Sequence, residues 1–258
     1  MLRPLAFDPK TFNMPEGISA HIESSIARGL PELVPAICSH DGTFVIVGSG
    51  PSLANYIDDI KQEQEKGRPI CAIKGAHDYL VENGVFPELF LSIDPRDRRN
   101  NVQRESANTV YLLASRCCPE LFDHLKDRNV MLWHAMCGED ENEVISKHQK
   151  YMIGGMSTSG LRAVNIGVYL GYRNFVMYGM DSCNAPDGIT KRIDGSLTGQ
   201  RQDVIVGGRK FVSNVAMAKQ AQDFQYLYEI LPGIHIDVKG DGLIAAIVSE
   251  RKRRGKWT

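Results

Sequence analysis

The sequence holds no CxxC pair, no apolar run near the roughly 20 residues that cross a bilayer, and almost no net charge. Each absence removes a class of function. Cys38, Cys71, Cys117, Cys118, Cys137 and Cys183 are scattered without zinc-site spacing, and in a chain of 258 residues such thiols fit a reducing compartment. Met1 to Lys10 lack the basic-then-apolar pattern of an export signal. The expectation is a soluble, cytoplasmic protein that does not enter a membrane. A formal net charge of −1 supplies no global field for nucleic acid or an anionic lipid surface. It leaves a nucleic-acid acceptor open only through a local patch such as Arg201, Arg209 and Lys210.

What the chain does have is a series of short, near-continuous apolar runs, at residues 44–47, 70–73, 89–93, 110–114, 130–133, 175–178 and 234–238. Strands without polar alternation are buried on both faces, as in a parallel sheet covered by helices. Helix-length polar segments lie between several of them, at 52–65 and 119–127 for example, which predicts βαβ units with right-handed crossovers. Residues 159–170 read as an apolar helix stopped by Gly171. Met217, Ala221, Phe224, Tyr228 and Leu231 recur at helical spacing as core positions, and Pro232-Gly233 ends that run. Residues 181–208, rich in Gly, Asp, Thr and Arg, read as a long surface loop with room for a short hairpin. The fold class is therefore α/β, a Rossmann-like, mostly parallel sheet of about seven strands with helices on both faces. Residues 1–40 read as a helical appendage, 41–249 as one nucleotide-binding domain, and 250–258 as a basic, solvated tail.

The strongest local feature is the first strand running into Gly48-Ser49-Gly50-Pro51-Ser52. Two glycines let the backbone turn sharply and approach a ligand, and Ser52 is placed to cap a helix whose free N–H groups favour phosphate. The GK[ST] of a P-loop and the third glycine of the dinucleotide fingerprint are both missing, so a ligand-free strand-to-helix turn explains the loop equally well. A second small-residue cluster, Gly154-Gly155-Met156-Ser157-Thr158-Ser159-Gly160, also opens a helix, and the strand after it ends at Asp181. In a parallel sheet both loops and Asp181 converge beyond the carboxyl ends of the strands. Plain helix capping remains the alternative for the hydroxyls of Ser157, Thr158 and Ser159.

These blocks, with Phe86-Pro87-Glu88, Ser92-Ile93-Asp94 and Tyr178-Gly179-Met180-Asp181, resemble the MptE-like family, the 6-hydroxymethylpterin diphosphokinase-like group. The stretch is also similar to the matching segment of bacterial CMP-sialic-acid-dependent sialyltransferases, which share the glycine-proline-serine loop. The resemblance covers roughly residues 41–181. It implies a nucleotide site, and either of two reactions. Archaeal diphosphokinases of this kind carry acidic residues at the late helix start, where this chain has Ser157, Thr158, Ser159 and Gly160.

The preferred function is a nucleotide-dependent transferase moving a sugar or similar activated group to a small-molecule or glycan acceptor. Gly48, Ser49, Gly50, Pro51, Ser52, Ser157, Thr158, Ser159 and Gly160 would hold the donor, with a CMP-type nucleotide favoured and ATP the other possibility. Asp94 and Asp181 would act at the reacting groups or hold Mg²⁺, if a metal is used. His134, after the 130–133 run, is the candidate base, expected within about 10 Å of the Gly48–Ser52 turn. A histidine satisfying a backbone carbonyl is its bland counterpart. The arginines of Asp94-Pro95-Arg96-Asp97-Arg98-Arg99 either clamp a phosphate or are exposed loop charges. The alternatives are a Mg-ATP-dependent diphosphokinase acting on a pterin-like hydroxymethyl acceptor, and a nucleotide-binding module without catalysis.

Overall fold

The computed structural model describes residues 14–255. Met1 to Lys10, and Lys256 and Trp257 of the expected tail, lie outside the described residues, as does the side chain of Tyr228. In chain order the elements are α1 (Ile18–Ala27), β1 (His40–Val47), α2 (Ile57–Glu65), β2 (Ile70–Ile73), α3 (Ala76–Glu82), β3 (Leu89–Ser92) and β4 (Val110–Ala114). They continue with α4 (Pro119–His124), β5 (Asn129–Ala135), α5 (Glu139–Lys147), β6 (Met152–Ile153), α6 (Ser159–Tyr169) and β7 (Tyr172–Tyr178). The last are β8 (Gln202–Val206), β9 (Arg209–Ser213), α7 (Val215–Ile230), β10 (His235–Val238) and α8 (Leu243–Arg253).

The main sheet has eight strands in the order β10-β7-β1-β2-β3-β4-β5-β6, every pair parallel. All seven apolar runs are strands of it. The eighth, β6, is a two-residue strand on the flank of β5. Burial explains the unbroken apolar runs. Phe44 and Ile46 of β1 point into one core with Cys71 and Ile73, while Val45 and Val47 join Ile70, Ala72, Leu53 and Leu80 in a second core on the other face. Residues 44–47, 70–73 and 111–114 are thus buried throughout, as the absence of alternation requires.

The N-terminal stretch is tied to the sheet by backbone. Glu32 bridges Leu132 in parallel, with Leu33 N–H donating to Leu132 O at 2.8 Å, and Ile22 of α1 is fully buried. At the other end, Arg251 to Arg253 are not in a loose tail: they close α8, where cations offset the helix dipole. The 181–208 segment turns into β8, which pairs with β9 as an antiparallel hairpin. No described helix is long and apolar enough to cross a membrane.

Candidate functional site

The strand order locates the crevice. From β1 the chain steps outward to β6, then returns so that β7 lies on the opposite side of β1. Beyond the carboxyl ends of β1 and β7 the connections diverge, which is where open α/β sheets take ligands. Gly48 to Ser52 and Gly179 to Asp181 both sit there.

At this point the two strand ends grip each other. Gly48 N–H donates to Tyr178 O and Gly50 N–H to Gly179 O, both at 2.8 Å. A Cβ added at Gly50 would lie 2.6 Å from Gly179 O and would collide with the Asp181 carboxylate. Gly50 is therefore glycine because β7 packs against it, and a side chain there disturbs the fold before it could exclude a ligand. Gly50 is also the N-cap of the 3₁₀ turn Pro51–Tyr56 that leads into α2, so Ser52 is not the cap. The Ser52 amide instead donates to Asp181 Oδ2 at 2.9 Å. Asp181 thus takes the Ser52 N–H of the first turn, at the place expected for a phosphate. It is buried, and burial raises its affinity for a proton against the pull of the Ser52 amide.

The second small-residue loop does converge on the first, through a side chain. Added Cβ atoms at Gly48 and Gly160 would each lie 2.7 Å from Met180 Sδ, so Met180 fills the gap between the two turns. Thr158 is the N-cap of α6, accepting from Leu161 N–H, and Gln220 Nε2 donates to its hydroxyl at 2.8 Å. Ser157 donates to Asp223, which also pairs with Lys219, and Ser159 is buried. The hydroxyls of Ser157 and Thr158 fasten the start of α6 to α7, whereas the buried Ser159 Oγ makes no hydrogen bond among the described residues.

His134 does not lie in the crevice. β2, β3 and β4 separate its strand from β1, and at about 4.8 Å per strand the lateral gap is about 19 Å, well beyond the expected 10 Å. Its side chain is buried on the far flank, with Nε2 3.7 Å from Glu32 Oε2, and burial lowers its pKa. The inference failed because sharing a carboxyl edge fixes only one coordinate; strand order fixes the other.

Asp94 is at the edge as expected, but its carboxylate is already held. Arg96 Nε donates to Oδ1 at 2.8 Å and Arg98 Nε to Oδ2 at 2.9 Å, with Lys74 Nζ 3.7 Å away. Burial alone would raise its pKa, but the two guanidiniums and Lys74 outweigh it and hold the carboxyl far below the usual range. The arginines are therefore neither loose charges nor idle clamps: Asp94 positions them. Asp94 is thus ringed by cations and Asp181 accepts from the Ser52 amide, and no group of three or more acidic, His or Cys side chains suited to a metal occurs among the described residues.

The crevice this leaves is electropositive. Lys74 directly follows β2 and has φ of 55°, a left-handed conformation unusual for a residue with a side chain. Burial pushes its ammonium down to about 8, Asp94 resists, and Arg192, Arg98 and Arg96 push further. Lys191 feels Arg192 and Arg98 in the same way. Lys74, Lys191 and Arg192 escaped the sequence reading. The available signal was a lysine between a buried strand and Gly75, at the edge where ligands bind. The Arg209 and Lys210 patch, by contrast, is paired with Asp241 and Asp203.

A family model described as 6-hydroxymethylpterin diphosphokinase MptE-like matches residues 22–187. The chain belongs to the MptE-like family. This MptE-like chain is also similar to the MAf glycosyltransferase of Magnetospirillum magneticum AMB-1, with a TM-score of 0.68 and 17% identity over 91% of its length. It spans only 38% of that longer protein. A mammalian sialyltransferase in complex with Gal-beta-1-3GalNAc-ortho-nitrophenol aligns at 11% identity and a TM-score of 0.45, covering 91% of this chain and 87% of the other. At such identities the MAf likeness shows the fold alone. No curated protein matches the MptE-like sequence at a significant level.

Proposed function

We propose that this chain is a nucleotide-dependent transferase that binds its donor's phosphates against Lys74, Arg96 and Arg98, beside the Gly48–Ser52 turn. The observation that carries this reading is the convergence of those cations at the carboxyl ends of β2 and β3, preorganised by buried Asp94. Preorganised guanidinium groups bind phosphate by charge-assisted hydrogen bonds without first having to be ordered. The transferred group is taken to be a sugar or a similarly activated unit, because Asp94 is committed to Arg96, Arg98 and Lys74, and a metal-free transfer needs only a phosphate cradle and a proton acceptor. Asp181, whose buried carboxyl holds a proton more tightly than usual, is the candidate for the acceptor's hydroxyl proton.

The family description supports a second reading, transfer of a diphosphate from Mg-ATP. A thermal-shift panel of CMP, UMP, GDP, ADP and ATP, each with Mg²⁺ and with EDTA, separates the two. Nucleotide at 100 times its dissociation constant should add about 2.7 kcal/mol of apparent stability. Stabilisation that survives EDTA supports sugar transfer. Stabilisation by ATP alone, and only with Mg²⁺, replaces it with the diphosphokinase. No stabilisation by any nucleotide removes both.

A further inference from the structure

Opposite the strand-end cations, residues 190–197 form a tight hairpin. Thr190 and Leu197 bridge antiparallel, and Lys191 N–H donates to Ser196 O at 2.9 Å. Ile193 pins the tip over the glycine turn: its amide donates to Ser49 O at 2.9 Å, and its side chain packs on the core that contains Val47 and Leu53. The hairpin therefore delivers Lys191 and Arg192 to the crevice from outside. With Ile193 held on Ser49 the hairpin tip lies beside the glycine turn, and the influence of Arg192 on Lys74 and of Arg98 on Lys74 and Lys191 accords with hairpin and strand ends lining one space.

The two walls differ in how their charge is used. Arg96 and Arg98 are neutralised in part by Asp94, which draws both of them to itself. Asp194 lies near the hairpin cations, yet among the described residues no ion pair holds Lys191 or Arg192. Like charges brought together in a half-buried space repel, and an anion that spans them removes that repulsion. On the phosphate-site reading, a single phosphate would engage the inner wall. A second anionic group next to it is what would occupy the outer one.

We propose that Lys191 and Arg192 form the outer wall of the crevice and select ligands carrying two adjacent anionic groups, such as a diphosphate, over ligands carrying one. This rests on the phosphate-site reading above. The test uses the full chain, titrated calorimetrically with inorganic pyrophosphate and with orthophosphate at matched ionic strength, for wild type and the double variant Lys191→Ala/Arg192→Ala. Wild type should favour pyrophosphate by about tenfold or more, the scale of one charged hydrogen bond. The double variant should lose that preference while binding orthophosphate as before, with an unchanged melting temperature. A preference that survives the double substitution overturns the proposal, as does equal weakening toward both anions, or a wild type that shows no preference. If the double variant keeps the preference and wild type still binds nucleotide, only the hairpin's role is lost. If wild type binds neither nucleotide nor either anion, the phosphate-site reading falls with it.

Discussion

Lys74 sets two demands of one residue against each other. Its φ of 55° strains any side chain, by about 1–2 kcal/mol relative to glycine, while its ammonium helps make the crevice electropositive. Comparing two truncations separates the demands. Both Lys74→Gly and Lys74→Ala remove the charge and should weaken nucleotide binding alike. Only the glycine variant relieves the backbone, so it should be more stable than the alanine variant by about 1 kcal/mol in urea unfolding. Equal stabilities would mean that the left-handed conformation carries no strain here. Asp181→Asn is the companion test. The amide oxygen of asparagine still accepts from Ser52 N–H, so fold and donor affinity should hold. Turnover should fall by about 10²–10⁴-fold if the carboxylate takes a proton. Full activity would make Asp181 a helix-end cap and nothing more.

At the scale of elements, the sequence was most legible where burial is continuous. Runs such as 44–47 and 110–114 are apolar because helices cover both faces, and each is a strand. β6 was not legible, since two residues show no period. Besides its pairing with β5, it is held by one side chain from the next helix. Arg162, buried in α6, donates Nη1 to Ile153 O at 2.9 Å, Nε to Met156 O at 2.9 Å and Nη2 to Met136 O at 2.8 Å. It thus ties the ends of β5 and β6 together in a way that spacing cannot reveal. Arg162→Ala would leave the Met136 and Met156 carbonyls without this donor in a buried place, a loss of about 3 kcal/mol or more in chemical denaturation. Loss of under about 0.5 kcal/mol, typical of exposed positions, would show that water replaces it readily. The candidate site was half legible for the same reason. Glycines and strand-end aspartates are visible as motifs, whereas their partners become apparent only when Asp94 meets Arg96 and Arg98, or Ser49 meets Ile193.

For the whole molecule, His134 becomes a measure of acid sensitivity. Burial lowers its pKa below the ordinary 6.5, with Glu32 opposing. A group that holds its proton less tightly when folded contributes stability that is fully present above the unfolded pKa and lost as pH falls through the folded one. Denaturant midpoints should therefore decline from pH 7 toward pH 5, by at most about 1.4 kcal/mol per pH unit from this residue. His134→Gln should flatten that slope without altering nucleotide affinity, since its strand lies far from the crevice. A slope unchanged by the substitution would assign the decline to other groups.

The strand order also bears on synthesis. β1 lies beside β7, and the Ser52 amide meets its Asp181 partner 129 residues further along the chain. A ribosome-bound chain that has released β1 to β6 can zip those strands outward, yet one side of β1 remains an open edge of unpaired backbone bearing Phe44 to Val47. Open apolar edges recruit strands from other molecules. The interval before β7 emerges is thus the period of greatest exposure to aggregation, and on the proposed reading no donor nucleotide would shorten it, because the turn beside which it would bind is not yet braced. Truncation before Tyr172 should accordingly yield an insoluble product that nucleotide does not rescue, whereas the intact chain closes that edge with its own strand.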